Sequence, residues 1–313
     1  MKGRIYKSTG NWYSVLSESN QVYKCNIKGK FRSLGIKSTN PIAVGDFVNF
    51  EITNKEDYTG VIYKIINRKN YIIRKSVNLS KQSHIIASNI DCCFLMVTPS
   101  NPLTSSIFID RVLVATKSFG IETVVLFNKI DIYSKNDLNY VEQLKNIYIK
   151  IGYKTLEISV LKEINIGLLK EMLLNKTSIF TGHSGVGKTS LVNLLDPDLI
   201  LKTAEISKLS EQGQHTTTFA EMFDLKFGAS IIDSPGIKGF GLIDIEKNEL
   251  GDYFSEFILY KSNCKFNNCL HENEPYCGVK KAVEKGNISE SRYKSYLSLL
   301  KGEDKNYRTD YWE

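Results

Sequence analysis

The sequence predicts a multi-domain protein: a small N-terminal β-barrel, a central α/β domain on a mainly parallel sheet, and a mainly helical C-terminal module. Three observations carry this. Residues 1–75 form short Val-, Ile-, Tyr- and Phe-rich stretches broken by turn residues. From residue 89, short apolar runs alternate with helical stretches, and beyond residue 241 three of the six cysteines gather beside a histidine. The 313 residues suit two or three domains, and 42% hydrophobic against 24% charged residues supports a core that needs no disulfides.

In the first part, residues 3–16, 21–27, 46–53 and 60–71 are strand-like. Turn material such as Gly10 and Asn11, Gly29, and Gly45 with Asp46 separates them. No long helical period intervenes, and the length fits a five-stranded oligonucleotide-binding (OB) barrel. Tyr6, Trp12, Tyr13, Tyr23 and Phe31 are interleaved with Lys and Arg, and such rings either fill a barrel or stack on bases. Charge is lopsided. Residues 1–75 hold 14 Lys/Arg against 5 Asp/Glu, a local +9, whereas the remainder holds 27 against 29, or −2. Between Tyr58 and Ile90 there are six basic residues (Lys64, Arg68, Lys69, Arg74, Lys75, Lys81) and no acid. That field fits a polyanionic partner or a solvated basic surface.

In the central part, strands are expected over residues 90–97, 123–127, 155–158, 178–181 and 229–232. Helices are expected over 107–119, 137–151, 166–174 and 188–195, so the strands should lie mainly parallel, covered on both faces. Cys92 and Cys93, adjacent in the first strand, read as packing residues. Beyond residue 241, helices are expected over 247–260 and 289–300. The first 13 residues lack an apolar block that could serve as a secretion signal, and no apolar run approaches the roughly 18 residues of a membrane span. The expectation is a cytoplasmic protein with no membrane partner.

Three motifs carry chemistry. Gly182, His183, Ser184, Gly185, Val186, Gly187, Lys188 and Thr189, followed by Ser190, fit G-x4-G-K-[ST] between a strand and a helix. Glycines let backbone N–H groups turn toward phosphates, the helix start adds positive potential, Lys188 neutralises β/γ charge, and the Thr189 hydroxyl suits Mg²⁺. Asn128, Lys129, Ile130 and Asp131 form N-K-x-D at the end of a buried strand. The Asp131 carboxylate accepts from guanine N1–H and the N2 amine, whereas adenine offers an acceptor at N1 and no N2 amine, so a GTP/GDP ligand is expected. Ser159 and Val160 are placed to cover the guanine edge, although S-V departs from the usual S-A. Finally, Asp233, Ser234, Pro235 and Gly236 give D-x-x-G, with Asp233 toward Mg²⁺ through water and the Gly236 N–H toward the γ-phosphate. Between the phosphate loop and this strand lie His215 and a threonine run in which Thr217 or Thr218 should close over Mg²⁺ and the γ-phosphate. Where many GTPases carry a water-orienting glutamine stands Ile237, so intrinsic hydrolysis should be slow. His215 is the nearby side chain suited to assist, and it equally suits a structural role in the loop.

The motif order is unusual, because N-K-x-D precedes the phosphate loop. A parallel sheet depends on spatial position and not chain order, so the loops can still converge in a circularly permuted domain. One consequence is that D-x-x-G runs within 28 residues (Gly236 to Cys264) into the C-terminal module, and γ-phosphate contacts are expected to position that module. There, Cys264, Cys269, His271 and Cys277 offer three thiols and one imidazole, the set of a closed, structural Zn²⁺ site.

N-K-I-D ahead of G-H-S-G-V-G-K-T-S, then H-T-T-T, D-S-P-G and C-x4-C-x-H-x5-C, closely resembles the RsgA family over nearly the whole chain. These are small-ribosomal-subunit (30S)-dependent GTPases of ribosome biogenesis. The resemblance implies an OB-fold RNA-binding domain (residues 1–75), a circularly permuted P-loop GTPase domain (76–242) and a zinc-binding domain (243–313). It also implies binding to the 30S subunit through its rRNA, a part in late 30S maturation, and hydrolysis stimulated by the subunit, with a monomeric chain expected. Thr189, where many members have Ser, keeps the hydroxyl. A GTP-gated rRNA-binding module that hydrolyses only to reset is the alternative. A nucleotide kinase is disfavoured by N-K-x-D.

Overall fold

The computed structural model describes residues 1–9, 11–28, 41–75, 83–199, 220–233 and 245–302. His215, Thr217, Thr218 and Gly236 lie outside the described residues. The chain divides into two compact units: residues 1–94, 166–181 and 187–238 in the first, and 95–165, 182–186 and 239–313 in the second.

In the first unit, β1 (Lys2–Ser8), β2 (Tyr13–Ser17), β3 (Val22–Ile27), β4 (Phe47–Asn54) and β5 (Thr59–Ile65) are ordered β1-β2-β3-β5-β4, and β4 returns to pair with β1. This closed five-stranded barrel bears out the expected N-terminal fold. Alternation sets the wall: successive side chains point to opposite faces, and the inward set Ile5, Tyr13, Val15, Cys25, Phe50 and Ile62 forms the core. β3 and β5 run parallel (Cys25↔Gly60), and the other barrel pairs run antiparallel.

One buried charge locks the barrel to the chain that leaves it. The Asp46 carboxylate is fully enclosed and receives Arg68 Nε and Nη2 (each 2.6 Å), the Ser88 hydroxyl (2.6 Å) and the Ala43 N–H (2.8 Å). A buried carboxylate with every lone pair engaged is tolerable where an unpaired one is not. This clamp explains why strand-like residues 60–71 do not form one strand. β5 stops at Ile65, Arg68 turns in to Asp46, and β6 (Tyr71–Lys75) starts a separate antiparallel hairpin with β7 (Ser83–Ser88).

The barrel also continues into the sheet of the α/β part. β1 pairs antiparallel with β12 (Glu221–Leu225), β12 with β13 (Ala229–Asp233), and β13 in parallel with β11 (Thr177–Thr181). Side chains reinforce the join: Lys7 with Glu221 at 2.8 Å, the Tyr6 hydroxyl to Asp224 at 2.6 Å, and Arg4 to the Thr177 hydroxyl at 2.8 Å. β12 escaped sequence reading because its polar residues interrupt the apolar run. Helices α3 (Ile166–Leu173) and α4 (Lys188–Leu195) also belong to this unit.

β8 (Cys92–Val97) passes from the first unit to the second, and Cys92 and Cys93 are both fully enclosed, as packing residues should be. The second unit contains α1 (Ser106–Ser118), β9 (Glu122–Phe127), α2 (Lys135–Lys150) and β10 (Lys154–Glu157), with β9 and β10 parallel. It also contains α5 (Ser255–Lys261), α6 (Gly278–Glu284) and α7 (Glu290–Lys301). The stretch read as one helix over residues 247–260 is a short 3₁₀ turn (Leu250–Tyr253) and then α5. The break falls at Phe254, whose extended backbone (ψ 102°) drives a fully buried ring against Phe257 and Tyr296. That aromatic cluster, with Val279, Ile288 and Leu299, also packs Val114 of α1, so the C-terminal helices share a core with α1.

A second buried charge cluster sits at that junction. Arg292 of α7 bridges Asp110 of α1 (2.7 Å) and Glu256 of α5 (2.7 Å), and all three side chains are at most 6% exposed. The Tyr148 hydroxyl adds a bond to Asp110 at 2.9 Å. Burial pushes the Asp110 carboxyl up, and Arg292 offsets only part of that rise. Removing one partner of such a set strands the others, at a typical cost of about 3–5 kcal/mol. Arg292→Met should therefore lower the urea unfolding free energy by about that amount, more than Lys145→Ala on the half-exposed pair with Glu142. Equal effects of the two substitutions would show that the buried cluster does not hold the unit together.

Candidate functional site

The phosphate-loop motif lies where its sequence requires. β11 runs into Gly182, and the N-terminus of α4 begins at Lys188. Gly182 holds φ 143°, and a Cβ there would lie 2.3 Å from the Met96 carbonyl oxygen, so no other residue fits. Gly185 (φ 79°) and Gly187 (φ 101°) supply the left-handed turns that bend the loop back on itself. Val186 is fully buried, Lys188 is half-buried, and Ser184, Thr189 and Ser190 are exposed. The His183 ring stacks on Phe108 of α1, with centroids 3.9 Å apart and planes 29° apart.

Asn128 joins this loop to the base-specificity motif. It is 1% exposed and uses both ends of its amide. Nδ2 donates to the Val186 carbonyl (2.8 Å) and Oδ1 accepts from the Val160 N–H (3.2 Å). Its own N–H donates to the Val97 carbonyl (3.0 Å), and the Tyr133 hydroxyl caps its carbonyl. Lys129 sits in the left-handed region (φ 70°) and reaches the Asn101 carbonyl at 2.6 Å. Asp131 is half-buried, and its Oδ1 accepts the hydroxyl of fully buried Ser159 at 2.5 Å. The Ser159 hydroxyl also accepts the Lys162 N–H at 3.0 Å. Asn128, Lys129, Asp131, Ser159 and Val160 thus come together with residues 182–186 in the second unit.

Within the first unit, Asp233 is the last residue of β13 and is exposed. Because β13 is parallel to β11, Asp233 and Thr181 lie toward the same end of their strands, the end at which ligands bind in α/β folds.

Cys264, Cys269, His271 and Cys277 come together, with all four ligand atoms within 4.8 Å of one another. His271 Nδ1 lies 3.3 Å from Cys277 Sγ and 3.6 Å from Cys264 Sγ, and the two sulfurs are 3.9 Å apart. A tetrahedron with Zn–S of about 2.3 Å and Zn–N of about 2.0 Å has edges of roughly 3.5–3.8 Å, so these separations match one enclosed ion. The outer shell is also prepared. N–H groups of Gly278 and Lys280 point at the Cys264 and Cys277 sulfurs (3.3 and 3.4 Å), and the Tyr293 hydroxyl bonds the His271 carbonyl (2.6 Å). Glu274 accepts the Leu270 and Glu272 N–H groups (2.7 and 3.0 Å) and so shapes the turn that carries His271. Burial lowers the His271 pKa, a shift toward the neutral ring that ligates.

The motifs alone gave neither Asn128 as a crossbar nor Phe108 as the seat of His183. Both are tertiary contacts between residues distant in sequence, and a pattern of residue types along one chain carries no sign of them.

Comparison with known proteins agrees with this geometry. The family described as RsgA N-terminal domain matches residues 2–62, and the family described as RsgA GTPase matches residues 65–243. A Flavobacterium johnsoniae protein named small ribosomal subunit biogenesis GTPase RsgA is 57% identical over 99% of this chain and 96% of its own. A Bacteroides fragilis protein of the same name is 50% identical over 99% of this chain and 100% of its own. Among solved structures, YjeQ from Thermotoga maritima superposes with a TM-score of 0.78 at 35% identity, covering 96% of this chain and 97% of that one. YloQ, described as a circularly permuted GTPase, gives 0.74 at 30% identity, covering 99% and 96%. Two family models and full-length relatives at 50–57% identity lead to one conclusion: the chain belongs to the RsgA family of circularly permuted GTP hydrolases.

Proposed function

We propose that this chain binds the 30S ribosomal subunit through its rRNA, assists late maturation of that subunit, and hydrolyses GTP to GDP and phosphate with stimulation by it. The observation that carries the reading is the Asn128 crossbar. A GTPase must read base and phosphates with one rigid frame, and Asn128 binds the phosphate loop and the Ser159–Val160 loop at once. The relatives' shared name and the +9 charge of residues 1–75 support a ribosomal RNA partner. In this reading the three-part division at residues 75/76 and 242/243 holds, and the protein works as a cytoplasmic monomer. Among the described residues, no helix is long and apolar enough to cross a membrane.

The nucleotide contacts are assigned as follows. Asp131 accepts from guanine N1–H and N2–H₂, with Ser159 fixing the plane of its carboxylate. Lys129 packs along the base, and backbone N–H groups of residues 182–190 enclose the phosphates. Lys188 neutralises the charge that develops on the γ-phosphoryl oxygens. Thr189, directly, and Asp233, through water, would hold Mg²⁺, which would supply positive charge against the phosphates. Thr217 or Thr218 would close over Mg²⁺ and the γ-phosphate, and the Gly236 N–H would donate to the γ-phosphate. Ile237 cannot orient water, so His215 takes that part. Cys264, Cys269, His271 and Cys277 hold one structural Zn²⁺.

Three outcomes test these assignments. Asp131→Asn replaces an acceptor with an amide that can donate to the C2 carbonyl of xanthine. GTP affinity should fall by about 10³- to 10⁴-fold while xanthosine triphosphate binds better than to wild type, as measured by equilibrium titration. Unchanged GTP affinity would remove Asp131 from the base site. Elemental analysis should find one zinc per chain. Prolonged chelation, or Cys277→Ala, should lower the melting temperature, because the ligands adjoin the aromatic core around Phe257. Metal-free protein that melts with wild type would contradict a structural ion. Finally, saturating 30S subunits should raise GTP turnover by roughly 10²-fold or more. Turnover unmoved by 30S subunits at any concentration would exclude subunit-stimulated hydrolysis.

A further inference from the structure

His183 is the one ring in the phosphate loop, and nothing in the G-x4-G-K-[ST] pattern requires a ring there. Its ring stacks closely on that of Phe108, with 3.9 Å between centroids and 29° between planes. Phe108 is an unusually fixed partner. It lies in the first turn of α1, where its N–H donates to the Ser105 hydroxyl at 3.3 Å, and it is 5% exposed. The Arg111 guanidinium, one turn further on, packs 5.2 Å from the Phe108 ring centre. Two residues after Phe108, Asp110 is bound to Arg292 and Tyr148 in the buried charge cluster, so α1 cannot rotate without breaking it. The phosphate loop, by contrast, contains three glycines at positive φ, so contacts from outside it matter for its shape. Each contact that holds such a loop in one shape reduces the ordering entropy lost on binding phosphates.

We propose that His183 is a positioning residue. Stacked on Phe108, it seats the phosphate loop on the rigid helix α1 in its nucleotide-receiving form, and so sets affinity for guanosine di- and triphosphate alike. The work is done by the flat face of the ring and not by its ionisable nitrogens. This inference rests on the reading of residues 182–190 as the phosphate loop.

The test is equilibrium titration of the full chain with GDP and with a non-hydrolysable GTP analogue. His183→Ala should weaken both ligands by the same factor, about three- to tenfold, the scale of one aromatic stack. His183→Phe, which keeps a flat ring and discards the nitrogens, should restore affinity to within about twofold of wild type. Phe108→Leu should match His183→Ala, and the double variant should lose less than the product of the two single losses, because both remove one contact. In turnover, most of the loss in kcat/KM should lie in KM. The proposal is overturned if His183→Ala binds like wild type, if His183→Phe is as weak as His183→Ala, or if the loss is confined to the triphosphate. Lys188→Ala separates the two levels. Intact nucleotide binding in that variant overturns the phosphate-loop reading and this inference with it. A wild-type-like His183→Ala beside a crippled Lys188→Ala overturns the inference alone.

Discussion

The candidate nucleotide site depends on one buried side-chain amide. Asn128 donates to the Val186 carbonyl and accepts from the Val160 N–H, so a single residue fixes the distance between the loop of the G-x4-G-K-[ST] motif and the Ser159–Val160 loop. An amide is the right group for this. It offers a donor and an acceptor at fixed separation, carries no charge to bury, and at 1% exposure leaves water little chance to compete. Aspartate would meet the Val186 carbonyl with a second acceptor, and leucine would leave that carbonyl unpaired. Asp131, three residues on, inherits its position from the same crossbar and has its plane set by Ser159.

The permuted order changes what the chain can transmit. The residues after N-K-x-D return through β10 and α3 to β11 before the phosphate loop is reached. In chain order, α5–α7 therefore follow Asp233 with no return to the sheet among the described residues. In the first unit, the sheet that ends in Asp233 extends through β12 to β1, and so to the barrel, with Lys7–Glu221 and Tyr6–Asp224 clasping the edge. In the second unit, α1 shares its core and its buried charges with α5 and α7. Each accessory part is thus grafted directly onto one element of the GTPase fold, a construction suited to passing nucleotide state outward.

Much of this was legible in the sequence because the physics is local. The phosphate loop announces itself through glycines that must take positive φ and a lysine at a helix start, and the structure gives Gly182, Gly185 and Gly187 those angles. Cys264, Cys269, His271 and Cys277 are close in the chain, so their meeting needed no long-range guess. The barrel followed from alternation and turns. What stayed hidden is tertiary. Residues 60–71 look like one strand until Asp46 captures Arg68. Residues 247–260 look like one helix until the core claims the Phe254 ring. β12 is a strand because β1 and β13 flank it, and its own composition of Glu221, Met222, Phe223, Asp224 and Leu225 says little.

The most direct measurement is a titration of wild type and Asn128→Ala with GDP and ADP, with the fold of both checked by circular dichroism. The expected result is a guanine preference of at least about 10³-fold in wild type. Asn128→Ala should lose affinity for GDP far beyond one hydrogen bond, because both loops are released together. A folded Asn128→Ala that binds GDP as tightly as wild type, with its preference over ADP intact, would contradict the account at its base.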